Sequence, residues 1–373
     1  MLREVYVSAA CVVLLAADVS RAREVPRMRQ ASVELRVGGP SEERPEFVFG
    51  DVRGIAIHPD GRIVVADALD HDVRVFSASG SFLFVIGRRG AGPGEFEGPC
   101  CLTFSHDGQL WVKDFGNKRY SVFALERSKA RLVGTVMSTR NPVGFLDPIV
   151  WNGNRLVDLA STFDPVKREF RLIRSFLDNE GRAWRVDTLP EPSHNQLSTF
   201  VVRSGQGSAA YTQPFGSRAL HALGPSGEHA FAASGSYSVR WDDSLGRSLR
   251  VLRRDIAGPA LSGAERARAT KTLEGVAKQT GVAVGRLPFG VPTSKPPIER
   301  IGFDSDGRLW IQRTSLDGQP READVYARDG RWIAQMRWPW NVRLDLSSAT
   351  GNRAVGVESD NSGQPRVVRL RFD

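Results

Sequence analysis

Two stretches of this chain repeat one another in register, and the repeat limits the fold more than any other feature. Asp60-Gly61-Arg62-Ile63-Val64-Val65-Ala66-Asp67 is followed by Asp70 and by Val73-Arg74-Val75-Phe76. Forty-seven residues later, Asp107-Gly108-Gln109-Leu110-Trp111-Val112-Lys113-Asp114 is followed by Asn117 and by Tyr120-Ser121-Val122-Phe123. Each copy reads as a tight turn, a strand, an acidic corner and a second strand. Self-similarity at this period marks a repeat array, because one such unit cannot bury its apolar face alone. Short strands separated by Asp-Gly turns make each unit a β-meander, which is the form of a propeller blade.

The phase of the repeat extends along the chain. In the first blade, residues 54–58 form an inner strand, 62–66 a second, 73–77 a third and 82–86 a fourth. A glycine-rich crossing, Gly87 to Phe96, leads to the next blade. It is not a phosphate-binding loop, since no Lys-Ser/Thr follows and no helix opens after it. The second blade runs from Cys101 to about Val136. The third is blurred, over residues 149–186, and the fourth spans about 220–252. Asp306-Gly307-Arg308-Leu309-Trp310-Ile311 restores the motif in a fifth, and Asn341 to Phe372 supply a sixth. Ser32 to Val37 alternate as a strand that would complete the last blade from the other end of the chain and remove the exposed sheet edge. The expected fold is therefore all-β: a six-bladed β-propeller over residues 31–373, closed by an N-terminal strand. One segment departs from the pattern. Ser262-Gly263-Ala264-Glu265 is a capping box and Gly281 a helix stop, which predicts a helical insertion over 262–281. It either lies across one face of the ring or decorates the blade edges.

The Asp60–Asp67 run, the Val73-Arg74-Val75-Phe76 strand and the Gly90-x-Gly-Pro-Gly-Glu-Phe96 crossing resemble NHL repeats. They are more closely similar to the six-bladed NHL-like propellers exported by bacteria. The resemblance is specific over two blades and weaker beyond them. It implies a ring with a central channel and loops displayed for binding. As an alternative it resembles the lactonase- and amidating-lyase-like propellers, which implies a divalent cation near the axis.

The first 22 residues agree with export. Arg3 precedes an apolar run from Val5 to Val19, and Ser20-Arg21-Ala22 supplies small residues for cleavage. The run is short for a permanent membrane span. A signal peptide over 1–22 places the mature chain in the periplasm or outside the cell. Of the 51 basic residues only seven are lysine, and the formal net charge is +9. That excess reads either as a bias toward arginine or as a basic face for nucleic acid or acidic glycans. The arginines stand singly along strands, as on solvated faces, and export argues against nucleic acid. Cys100 and Cys101 are adjacent. They read either as one buried thiol and one facing a neighbour, or as a vicinal disulfide.

Propeller function gathers on the face that carries the second-to-third-strand loops and the blade crossings. There the sequence places Asp67, Asp70, His71, Arg88, Arg89, Asp114, Asn117 and Arg119 as candidate binding residues. The carboxylates and Asn117 could equally cap backbone N–H groups in tight loops. Ala233 and Arg313 stand where Asp67 and Asp114 stand, so a ring of carboxylates is incomplete. The six histidines form no i, i+4 pair, and no G-x-S-x-G elbow occurs. Trp338 and Trp340 flank Pro339 and read as a sugar or partner platform, or as wedges between blades. The function expected is an exported monomeric binding module without a cofactor, whose partner is a protein, a small molecule or a glycan. The alternative is a propeller enzyme holding Ca²⁺ or Zn²⁺ near the axis.

Overall fold

The computed structural model describes residues 26–39, 44–137, 149–164, 169–204, 207–360 and 362–373. The signal-like residues 1–22 lie outside these. Blade 1 consists of Val52–Ile57, Ile63–Asp67, Asp72–Phe76 and Phe82–Ile86, paired antiparallel in chain order. Blades 2 (residues 99–137), 3 (150–188), 4 (219–253) and 5 (298–338) repeat that order. Blade 6 takes Val342–Thr350, Arg353–Ser359 and Pro365–Phe372 from the end of the chain and its outer strand, Met28–Val37, from the start.

That closing strand is longer than the alternation at 32–37 indicated. Ala31 pairs with Phe372 and Val37 with Val367, antiparallel. Met28, Arg29 and Gln30 run on to pair in parallel with Gln335, Met336 and Arg337 of blade 5. The N–H of Gln30 donates to Asp373 O at 3.3 Å, and the N–H of Asp373 donates back to Gln30 O at 3.2 Å.

The sheets hold together face to face. Each neighbouring pair shares one apolar core. Between blades 1 and 2, for example, Val64 and Val75 meet Leu110 and Phe123. Aromatic wedges fill the joints: Trp111 against Trp151 at 5.2 Å, Trp241 against Phe303 at 5.1 Å and Trp310 against Phe372 at 5.7 Å between centroids. A strand with neighbours on both faces has no solvated side, so Ile63 to Asp67 is buried at every position. Polar groups also cross the joints. Asp158 of blade 3 accepts Lys113 Nζ at 2.7 Å and the Tyr120 hydroxyl of blade 2. Asp324 of blade 5 accepts the Tyr237 hydroxyl and Arg254, each at 2.6 Å. Burial and the adjacent carboxylates push both tyrosine hydroxyls well above their ordinary range.

Among the described residues, a hairpin and a helix stand outside the ring. A hairpin, Thr199–Ser204 with Gly207–Thr212, lies between blades 3 and 4 and was not legible in the sequence. Helix α1, Gly263–Thr280, lies between blades 4 and 5. Its capping box is complete, with Ser262 and Glu265 exchanging hydrogen bonds, and Gly281 ends it at φ 70°. Phe200 of the hairpin packs with Leu273 of α1 and with Leu287. The helix therefore buries its apolar face against the hairpin, and its N-terminal half is left facing the ring. Cys100 and Cys101 form a vicinal disulfide at the start of blade 2.

Candidate functional site

The eight residues singled out from the sequence all lie in the sector of blades 1 and 2. Most are engaged in holding loops. Asp67 is fully buried and accepts N–H groups from Gly50 at 2.7 Å, Asp51 at 2.9 Å and Leu69 at 3.1 Å. Asp114 repeats this with Gly98 at 2.9 Å and with the side-chain amide of Asn117 at 2.7 Å. The Asn117 amide also donates to Gly90 O at 2.9 Å. Arg119 clamps the glycine-rich crossing through the carbonyls of Ala91, Gly92 and Glu95 at 2.9, 2.6 and 2.7 Å. Asp70 pairs with the buried Arg74, and the His71 ring meets Glu97 O at 3.0 Å. Arg88 and Arg89 point into solvent and pair with Glu95 and Glu97 at 3.0 and 3.3 Å. Beside them, burial pushes Asp72 up to about 6; Arg74 opposes the rise, and the charges of Asp67 and Asp70 add to it. None of the eight lines the channel or the cleft described next.

The first strands of the blades surround one axis. At the turn side they enclose a cavity of 430 Å³, lined among others by His58, Trp151 and Ser348. At the crossing side they enclose a second, of 500 Å³. Leu102, Leu223 and Phe303, all buried, line both cavities and form an apolar waist between them. Backbone bulges at the start of the first strands in blades 1, 2 and 5 set Arg53, Cys101 and Glu299 at the upper cavity. Neighbouring blades are stitched here. Asp345 accepts the N–H of Ile55 at 3.1 Å and the hydroxyl of Ser347 at 2.6 Å, and Ser348 donates to Ile55 O at 2.6 Å.

His221 also lines the upper cavity. Its Nδ1 lies 3.1 Å from Nε2 of His229, with the rings stacked at 5.3 Å. Burial lowers His221 to about 4. Burial, with His221 and the cations Arg174 and Arg240 nearby, lowers His229 to about 2. Both rings are neutral at physiological pH.

Arg218, Glu299 and Arg321 belong both to the upper channel and to a larger cleft of 750 Å³ on the same face. The cleft lies between the end of the hairpin, the N-terminal half of α1, the 314–320 loop of blade 5 and Trp340. A buried ion pair fixes the helix beside it: Lys295 Nζ lies 2.6 Å from Glu265, with side-chain exposures of 7% and 2%. Lys295 and the N–H of Ser262 hold the Glu265 carboxyl down to about 2. The two tryptophans of the Trp-Pro-Trp stretch differ in burial. Trp338 is a buried wedge whose indole N–H donates to Val342 O at 3.0 Å. Trp340 is 48% exposed at the edge of the cleft. Among the described residues no three His, Cys, Asp or Glu side chains come together as a metal-holding group.

Residues 42–126 match the DUF5128 family model, described as a 6-bladed beta-propeller. A Bacteroides fragilis protein described as exported superposes with a TM-score of 0.50 at 10% identity, over 92% of this chain and 95% of its own. The chain is a six-bladed β-propeller. A gluconolactonase from Xanthomonas campestris is similar at a TM-score of 0.41 and 12% identity, over 92% of this chain and 98% of that one. A virginiamycin B lyase from Staphylococcus aureus is similar at 0.39 and 10%, over 91% and 99%. None of the curated proteins matches the propeller. Among its described residues no helix is long and apolar enough to cross a membrane.

The cleft side of the propeller escaped the sequence reading because its walls come from segments far apart in the chain. Arg218, Arg300 and Arg343 lie at or near the starts of first strands, yet no local motif marks them. The sequence signals available were Trp340 and the capping box at Ser262, which located α1 without saying what it faces.

Proposed function

We propose that this propeller is an exported binding module and that it receives its ligand in the cleft beside α1, with the upper channel as the floor of the site. One observation carries the reading. The hairpin and α1 are not needed to close the ring, yet they pack on each other and are pinned by Lys295–Glu265 so as to wall a cleft that opens into the channel. Concave sites of this size, with a few polar groups converging on them, are where proteins hold small ligands. The signal-like residues 1–22 support export, as does the fold shared with an exported protein.

The test is a thermal-shift screen of saccharides and short peptides on the wild type and on Gln319→Trp, which places a bulky ring in the cleft. Compounds that stabilise the wild type should fail to stabilise the variant, while the melting temperature without ligand stays the same. Equal stabilisation of both proteins would remove the cleft from the proposal. N-terminal sequencing of protein recovered from the periplasm should begin after Ala22, and an intact Met1 would refute export by cleavage.

A further inference from the structure

The upper channel carries an excess of one charge. Arg53, Arg218, Arg300, Arg321 and Arg343 line it against the carboxylates Glu299 and Asp345. Glu299 is paired with Arg321 at 2.6 Å and Arg53 with Asp51 at 2.7 Å, while Asp345 accepts the Ile55 N–H and the Ser347 hydroxyl and keeps its charge, so cations still outnumber carboxylates. Backbone carbonyls position three of the arginines. Arg218 donates to Glu299 O at 2.7 Å, Arg300 to Leu344 O at 2.6 Å and Arg343 to Val52 O at 2.9 Å. Each of these bonds reaches from one blade to the next. For Arg218 and Arg343 the partners among the described residues are carbonyls, which fix a guanidinium in place and leave its charge in force. A row of cations set this way around a concavity focuses its field on what enters. A guanidinium has five N–H donors in a planar fork, so donors remain for a carboxylate or sulfate.

The second observation is Trp340. Arg321, at the junction of channel and cleft, donates to Trp340 O at 2.7 Å, and the exposed Trp340 lines the cleft together with Arg218 and Arg321. An exposed indole gives a flat apolar face with a polar edge, suited to the C–H face of a pyranose ring. Resting on the cleft as binding site, we propose that the ligand is a short acidic saccharide. Its carboxylate or sulfate groups enter the upper channel toward Arg218 and Arg343, and a sugar ring lies on Trp340.

The experiment is calorimetric titration of the purified protein with trigalacturonic acid, its methyl ester, a sulfated chondroitin tetrasaccharide, neutral maltotriose and a uridine hexanucleotide. An acidic saccharide should bind, more weakly as salt is raised, and the methyl ester should lose most of the affinity. Arg218→Gln, Arg343→Gln and Trp340→Ala should each weaken binding about tenfold or more. Arg343→Lys should restore part of the loss together with its salt dependence, whereas a purely structural role would leave the salt dependence of binding unchanged in Arg343→Gln. Equal binding of acid and ester, indifference to both arginine substitutions, or tighter binding of the hexanucleotide would overturn the inference. If both acidic saccharides fail while maltotriose binds and Gln319→Trp abolishes it, this inference falls and the cleft remains the binding site.

Discussion

Acidification should strip stability from the propeller through its two stacked histidines. His221 and His229 are held neutral in the fold, with pKa values of about 4 and about 2, whereas in the unfolded chain both titrate at about 6.5. Below that value the unfolded chain takes up protons that the native protein refuses. Stability is therefore intact above about pH 6.5 and falls as the pH drops, toward 4 for His221 and further, toward 2, for His229. At a pH of about 4.5 each ring lies roughly two units below its unfolded pKa, which at 1.36 kcal/mol per unit is a loss of about 2.7 kcal/mol each, or about 5 kcal/mol for the pair. Domains are commonly stable by only about 5–15 kcal/mol, so a loss of this size is readily measured. The assay is urea unfolding followed by tryptophan fluorescence, at a pH of about 7.5 and of about 4.5, for the wild type, His229→Phe and the double variant His221→Gln/His229→Phe. Other titrating groups are common to all three proteins and cancel in the comparison. The acid-induced loss should shrink by about 2–3 kcal/mol in the single variant and by about 5 kcal/mol in the double. The same loss in all three would refute the reasoning.

Lys295→Met should cost about 3–5 kcal/mol in urea unfolding, because it leaves the Glu265 carboxylate buried without its cation. Adding Glu265→Gln, which keeps the capping box, should recover most of that loss. Asp67→Ala strips the partners from the Gly50 and Asp51 N–H groups and should cost about 2–4 kcal/mol by the same measurement. Removing residues 26–37 leaves blade 6 with an open edge, so size-exclusion chromatography should show association that grows with concentration. Dialysis against a chelator should leave the melting temperature unchanged; a drop reversed by calcium or zinc would move the reading to an axial cation.

Most of the ring was written locally. The Asp-Gly turns and period-2 strands of blades 1, 2 and 5 recur at a fixed spacing, so their phase carried across the weaker blades. The helix was equally plain, since a capping box and a C-terminal glycine lie within twenty residues of each other. What could not be read depended on distant segments meeting. The hairpin at 199–212 has alternating residues but no Asp-Gly turn, and its apolar partners lie on α1, some seventy residues away. Arg174 looked like one more solvated strand arginine. It is fully buried, donating to Gly227 O at 2.6 Å across the joint with blade 4 and to Asp187 of its own blade at 2.8 Å. The histidine pair had a detectable signal. His221 and His229 flank a hairpin turn at 224–228, and alternation alone sets them on one face. The acidic corners were visible as residues, but their role was settled by burial, which shows Asp67 and Asp114 filled by backbone donors.

The closing strand gives the ring a mechanical character. Because Met28–Val37 runs antiparallel to Pro365–Phe372, residues 30 and 373 lie side by side at one end of the seam. A force pulling those two points apart would open the pair like a zipper, one rung at a time, instead of shearing all its rungs together. Tension applied across Met28 and Asp373 would therefore first peel Met28–Gln30 from blade 5 and then open the seam, releasing blade 6 while the other joints still hold. A tether at one end alone would load no rung of that seam.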